Sequence, residues 1–184
     1  MVTIDAKIAD LTIILGSPAS GKTTLARRLS ADLILPCLCK DDIKEALFDV
    51  LGSKDREWSR LLSEASFTAL LRLAQTQLAA GQSCIVEGNW RAMHAAALRR
   101  ILTDNGARAA QIWCRADSQE IASRFTSRRR HAGHQDALLP QGELECAAKQ
   151  PPAFMELGGP RWVYRSDSPT AYAELLQSVK SWRL

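Results

Sequence analysis

Between Gly16 and Thr23 the chain reads Gly-Ser-Pro-Ala-Ser-Gly-Lys-Thr, which fills every specified position of the pattern G-x-x-x-x-G-K-[ST]. Such a stretch grips a polyphosphate. A loop of small residues lets successive backbone N–H groups point at one anion, and a helix opening at its end adds a positive dipole. Gly16, Ser17, Pro18, Ala19, Ser20 and Gly21 would form the cradle. Lys22 would reach the β- and γ-phosphates, Thr23 would offer its hydroxyl to Mg²⁺, and Thr24 would follow at the loop–helix junction. The setting fits, because the apolar run Leu11–Leu15 precedes the loop and a helical pattern follows from Lys22.

A phosphate grip does not by itself distinguish an enzyme from a switch. The second informative stretch is "CKDDIKEALFD", some twenty residues on, where Asp41 and Asp42 follow a β-like run. In a parallel sheet the end of that strand opens onto the same crevice as the phosphate loop. A carboxylate there can accept the proton of an attacking hydroxyl, and an aspartate can also cap the helix that follows. The expectation is that one caps and one faces the site, with Asp41 the first choice of base and Asp42 the alternative. "SCIVEGNW" supplies a strand ending in Glu87, an acid suited to orienting Mg²⁺ through water or to meeting an acceptor, with Asn89 at the crevice mouth. "SRFTSRRRHAGHQD" crowds Arg124, Arg128, Arg129, Arg130 and His131 into a short span. Taken alone, such a run is commonly a solvated face.

The elements that must position these residues alternate. Strands are expected at Leu11–Leu15, Leu33–Cys39, "SCIVEG", "RAAQIWCRA" and "RWVYRS". Helices are expected from Lys22, over Asp41–Val50 and about 55–80, and in "MHAAALRRIL", "SQEIASRFTSR" and "TAYAELLQSVKSW". The proline in the second strand suits an edge position. Alternation of this kind implies an α/β fold in three layers, a central parallel sheet of about five strands with helices on both faces. No linker or repeat divides residues 1–184, so a single domain is expected.

Composition narrows the partners. The formal charge is +4 over 184 residues and the sequence pI is near 8.9, which suits anionic ligands but falls short of a dedicated nucleic-acid binder. Five cysteines without zinc-finger spacing read as free thiols, and no apolar run approaches the roughly 18 residues of a membrane span. A soluble cytoplasmic protein is the expectation.

On "GSPASGKTTLARRL", "KDDIKEALFD", "VEGNW" and "RFTSRRRHAGHQD", in that order, the chain resembles the small P-loop kinases that phosphorylate a hydroxyl group. That group holds gluconate kinase, chloramphenicol phosphotransferase, zeta toxins and the kinase domain of phage polynucleotide kinase, together with many predicted kinases. The resemblance implies a P-loop NTPase fold with a mobile lid over about 124–140, and ATP and Mg²⁺ as cofactors. It implies that Asp41 is the catalytic aspartate and that Lys44 meets the acceptor. It also implies that Arg128 is the catalytic lid arginine, that Arg124 lies against adenine or phosphates, that Arg130 and His131 recognise substrate, and that Asp167 borders the base. The function so implied is transfer of the ATP γ-phosphate to a hydroxyl of a small molecule. A polynucleotide 5′-hydroxyl kinase and a non-catalytic nucleotide-binding switch are the alternatives.

Overall fold

A computed structural model describes residues 8–127, 131 and 153–184. Its centre is β1 (Asp10–Gly16), buried along nearly its whole length because strands pair with it on both edges and helices cover both faces. Five strands line up in the order β2-β3-β1-β4-β5, where β2 is Cys37–Cys39, β3 Cys84–Glu87, β4 Arg108–Arg115 and β5 Arg161–Arg165. Every neighbouring pair is parallel. Strand ends therefore gather on one edge of the sheet, and the loops leaving β1, β2 and β3 emerge side by side.

Two apolar clusters fill the layers. Leu11, Ile13 and Leu15 of β1 point to one face and meet Leu70, Ala74 and Leu78 of α3 (Arg56–Ala79) and Leu98, Ile101 and Leu102 of α4 (Ala95–Asp104). Ile14, of opposite parity, joins Leu25, Ala26 and Leu29 of α1 (Lys22–Leu33) and Tyr172, Leu175 and Val179 of α6 (Ala171–Arg183) on the other. The period of two in the strand and of three to four in the helices accounts for this division. Asp55 caps α3, its Oδ1 accepting from Trp58 N at 2.8 Å. Met155, in the stretch before β5, joins the first cluster and is held there by Gln111, whose amide both donates to and accepts from its backbone at 2.8 Å. Trp162 packs edge-on against Trp182, a structural contact as their surroundings imply.

Two expectations about elements need correction. The run Leu33–Cys39 is not one strand. Helix α1 continues through Leu33, Ile34 turns left-handed at φ 53° with its side chain in solvent, and pairing begins only at Cys37, after Pro36. An apolar run cannot separate a helix end from a strand start, but the edge position expected from the proline is observed. Helix α2 (Lys40–Leu51) starts one residue early, so neither aspartate caps it: Cys39 is the N-cap and offers no side-chain bond. Asp41 and Asp42 lie inside the first turn, where they complement the helix dipole.

Candidate functional site

The phosphate loop leaves β1 at Gly16, whose φ of 144° no side chain would readily permit. A Cβ there would stand 2.1 Å from the carbonyl oxygen of Cys114 on β4. The loop folds tightly, Ser20 N donating to Ser17 O at 3.3 Å, and the Cys114 thiol donates to Ser20 O at 2.9 Å. Gly21, left-handed at φ 91°, then opens α1. Behind the loop Ala19 packs with Ala116, Ile121 and Phe125, which seats α5 (Ser118–Ser127) against it.

Lys22 is nearly buried, and its Nζ donates to Ser17 O at 2.8 Å, so the ammonium curls over the loop it serves. Thr23 Oγ1 donates to Glu87 Oε2 at 3.1 Å. Glu87 ends β3 and is only 4% exposed. Burial pushes its carboxyl above the ordinary range, Lys22 pulls it back down, Asp41 raises it again, and the Thr23 hydrogen bond lowers it; the net direction is upward. A buried acid and a hydroxyl that share a hydrogen bond form an all-oxygen donor pair beside a polyphosphate loop. That donor set fits Mg²⁺, which takes one or two protein oxygens and fills its remaining positions from phosphates and water. Among the described residues no group of three or more His, Cys, Asp or Glu side chains is placed to hold a metal by protein alone.

Lys22, Thr23, Asp41, Glu87, Asn89 and Arg124 converge on one cavity of about 270 Å³, with Pro18, Ala19, Gly21 and Thr24 also in its wall. The two neighbouring aspartates are thus separated by the turn of α2. Asp41 faces the cavity and pairs with Lys40 at 3.1 Å, whereas Asp42 is turned to Arg27 of α1 at 3.0 Å, in a largely exposed ion pair. Arg124 reaches the loop from α5, clamped between Glu120 Oε1 and Ser166 Oγ, each at 2.7 Å. Asp167, next to Ser166, accepts from the Asp117 backbone N–H and from Arg165, both at 3.0 Å. Its burial would raise its pKa, but these bonds outweigh that and hold the carboxyl below its usual range. Lys44 is buried under Phe48 and donates to Ser59 Oγ at 2.9 Å. His131 stacks on Phe48 and meets Asp49 Oδ1 at 2.9 Å, so it rests against α2. Arg128, Arg130 and most of the expected lid lie outside the described residues.

Sequence reasoning missed Lys40, which is 4% exposed and bonded to Asp41, and Ser166, which anchors Arg124. Lys40 left a signal, since a lysine directly before an acidic pair at a strand end stands where a charge partner is needed. Ser166 left none, because it meets Arg124 only through the fold.

A loop of this form opening the first helix of a parallel sheet, with acids at the ends of two adjacent strands, defines a P-loop NTPase-type α/β protein. A family model described as an AAA domain matches residues 11–147, and the chain belongs to that family. Among solved structures it is similar to a "putative kinase" of Chloroflexus aurantiacus, at 35% identity and a TM-score of 0.86, covering 96% of this chain and 98% of that one. Kti12 of Chaetomium thermophilum in complex with ADP-AlF3 shares the fold at 15% identity and a TM-score of 0.66, covering 95% of this chain and 99% of the other. The APS kinase of Mycobacterium tuberculosis in complex with AMPPNP and APS shares it at 18% identity and 0.57, covering 95% and 96%. Uncharacterized proteins of Mycobacterium tuberculosis and Mycobacterium bovis are 31% identical over 136 residues. The match takes in 69% of this chain but only 27% of theirs, so the chain spans about a quarter of their length. Among the described residues no helix is long and apolar enough to cross a membrane.

Proposed function

We propose that this protein transfers the γ-phosphate of ATP, with Mg²⁺, to a hydroxyl group of a small molecule. The observation that carries the reading is the placement of the Asp41 carboxylate in the same cavity wall as Lys22, Thr23 and Glu87. A switch needs the last three; a group-transfer enzyme also needs a base facing the γ-phosphate. Asp41 takes the proton of the acceptor hydroxyl, and the freed oxygen forms a bond to the γ-phosphorus. The bond from that phosphorus to the β–γ bridging oxygen breaks, and ADP leaves with the electron pair. Lys22 and the loop amides hold the phosphate charge, and Arg124 steadies the nucleotide side. Thr23 and Glu87 would hold Mg²⁺, which when bound would supply charge compensation for the phosphates. Arg128 is proposed as the lid arginine, Arg130 as an acceptor contact, and Asp167 as a border of the base. Lys44 and His131, held at Ser59 and Asp49, line neither this cavity nor a second one beside α3, so the acceptor contacts expected of them are not carried by the geometry.

Kinase likeness across almost the whole chain, and bound nucleotides in two structures of the same fold, support this reading. The test is label transfer from γ-labelled ATP with Mg²⁺ into a pool of hydroxylated metabolites and, separately, into 5′-hydroxyl oligonucleotides, with Lys22→Ala beside the native protein. Label in the metabolite pool that vanishes with the variant is the expected result. Label only in oligonucleotides makes the protein a polynucleotide kinase, and ATP binding with label in neither pool makes it a switch.

A further inference from the structure

A second cavity, of about 430 Å³, lies between the first half of α3 and the segment 89–94 after β3. Asn89 lines both cavities. The residue before it, Gly88, is wedged where they meet: a Cβ on it would stand 3.2 Å from Lys40 Cβ on one side and 3.2 Å from the Phe67 ring on the other. Phe67 belongs to the second cavity and Lys40 is bonded to Asp41 of the first, so the two cavities adjoin through Gly88 and Asn89.

The walls carry an unusual charge. Arg56 and Arg60 stand one turn apart on α3 and Arg91 lies across from them, with Glu64 the one acid in the lining. Among the described residues none of the three guanidinium groups has a carboxylate within ion-pair distance. Like charges at i and i+4 disfavour a helix, so the Arg56–Arg60 juxtaposition works against α3 rather than for it. The apolar side of the cavity is ordered. Phe67 stacks on His94 at 4.2 Å between ring centroids, and Trp90 meets both edge-on at 5.1 and 5.5 Å. Arg91 N donates to His94 Nδ1 at 2.9 Å, which leaves Nε2 to carry the proton of the neutral ring; burial lowers the pKa of that ring, in keeping with the neutral form.

We infer that this second cavity binds the phosphoryl acceptor, and that the acceptor is a small hydroxylated anion, a phosphate monoester or a carboxylate, held by Arg56, Arg60 and Arg91. The identification as acceptor rests on the kinase reading above. Guanidinium forks match carboxylate and phosphate oxygens bidentately, and unpaired forks around one cavity gain most from such a group. The volume suits a compact molecule. With its anionic end among the arginines, the hydroxyl end points past Asn89 towards Asp41, and transfer follows the bond changes given above.

The test uses ribose 5-phosphate and glycerate as anionic probes against ribose and glycerol, their neutral counterparts. Binding is measured by calorimetry on protein saturated with Mg²⁺ and a non-hydrolysable ATP analogue, and label transfer is measured with γ-labelled ATP. At least one anionic probe is expected to bind at millimolar concentration or tighter, with its neutral counterpart at least tenfold weaker, about the value of one charge-assisted contact. Arg60→Ala and Arg91→Ala should each weaken the anion by about tenfold to a hundredfold. Arg60→Lys should recover part of the loss, and Lys180→Ala, an exposed charge on α6, should change nothing. The inference is overturned if no anionic probe binds, if neutral and anionic counterparts bind alike, if the arginine variants match the native protein, or if label enters only oligonucleotides. Arginine-dependent anion binding without label transfer keeps the anion site and removes the kinase reading. Equal transfer to neutral acceptors keeps the kinase and removes the anion site.

Discussion

Replacing Asp41 by asparagine and by alanine separates chemistry from structure. Asparagine keeps an oxygen that can accept from Lys40 Nζ, now 3.1 Å from Asp41 Oδ1, but it cannot take a proton from the acceptor. Turnover should fall about a hundredfold to ten-thousandfold, equivalent to about 2.7–5.5 kcal/mol of barrier, while nucleotide affinity stays within a factor of about three. Alanine removes the oxygen as well and leaves the Lys40 ammonium, 5% exposed, without that partner. Orphaning a fully buried charge costs about 3–5 kcal/mol. Asp41 is 33% exposed, so water replaces part of the contact and about 1–2 kcal/mol is the appropriate figure. For a domain of this size the alanine protein should melt about 3–6 °C below the asparagine protein. Calorimetry gives the melting difference, titration with an ATP analogue gives affinity, and label transfer gives turnover. Turnover in Asp41→Asn within threefold of the native protein would refute the base assignment. Equal melting of the two variants would refute the role given to Lys40.

Three further outcomes are expected. Glu87→Gln should lose Mg²⁺-dependent tightening of nucleotide binding, measured by titration with and without the metal. Because burial holds the folded-state pKa of Glu87 above its unfolded value, the folded state retains a proton that the unfolded state has released, and the stability tied to this group falls as pH rises through the folded value. The glutamine variant without metal should therefore melt above the native protein at neutral pH, with the advantage shrinking as pH falls towards the ordinary carboxyl range; a constant difference across that range would contradict the assignment. Gly16→Ala, forced against the Cys114 carbonyl at an unfavourable φ, should lose at least about 3 kcal/mol in urea unfolding, and a native midpoint would show that the close approach does not exist. Arg124→Ala should weaken ATP-analogue binding about tenfold with little change in melting temperature, since its two partners are reachable by water; unchanged affinity would remove it from the site.

The phosphate loop was legible in sequence because its chemistry depends on eight consecutive positions, and a local pattern survives any fold that supplies the strand and helix around it. The same holds for α3, whose capping aspartate and apolar spacing are local signals. Asp41 is the first choice over Asp42, but spacing alone leaves both open, and nothing local says which carboxylate faces the cavity. Both sit in one helical turn, about 100° apart, and only the position of α1 with Arg27 decides which carboxylate turns away. Arg56, Arg60 and Arg91 were invisible for a related reason. Thirty-odd residues of helix and strand separate Arg60 from Arg91, and each alone reads as a solvated surface charge. The misread strand at Leu33–Pro36 shows the converse: an apolar run predicts burial, yet Ile34 is among the most exposed large apolar side chains of the described residues.

The strand order also sets when this protein becomes competent. Among the described residues β1 is the first strand in sequence but the middle one in the sheet, and it pairs Leu11 with Cys84 and Asp10 with Arg108. At synthesis rates of about 5–20 residues per second, β1 waits several seconds on the ribosome before either neighbour exists. The wall behind Gly16 is Cys114, and the partner of Thr23 is Glu87, so a nascent chain carrying the whole phosphate-loop motif still lacks the surfaces that shape it. On the function proposed above, ligand capture is then a late event in biogenesis, and a bound nucleotide would stabilise only those chains in which β3 and β4 have closed around β1.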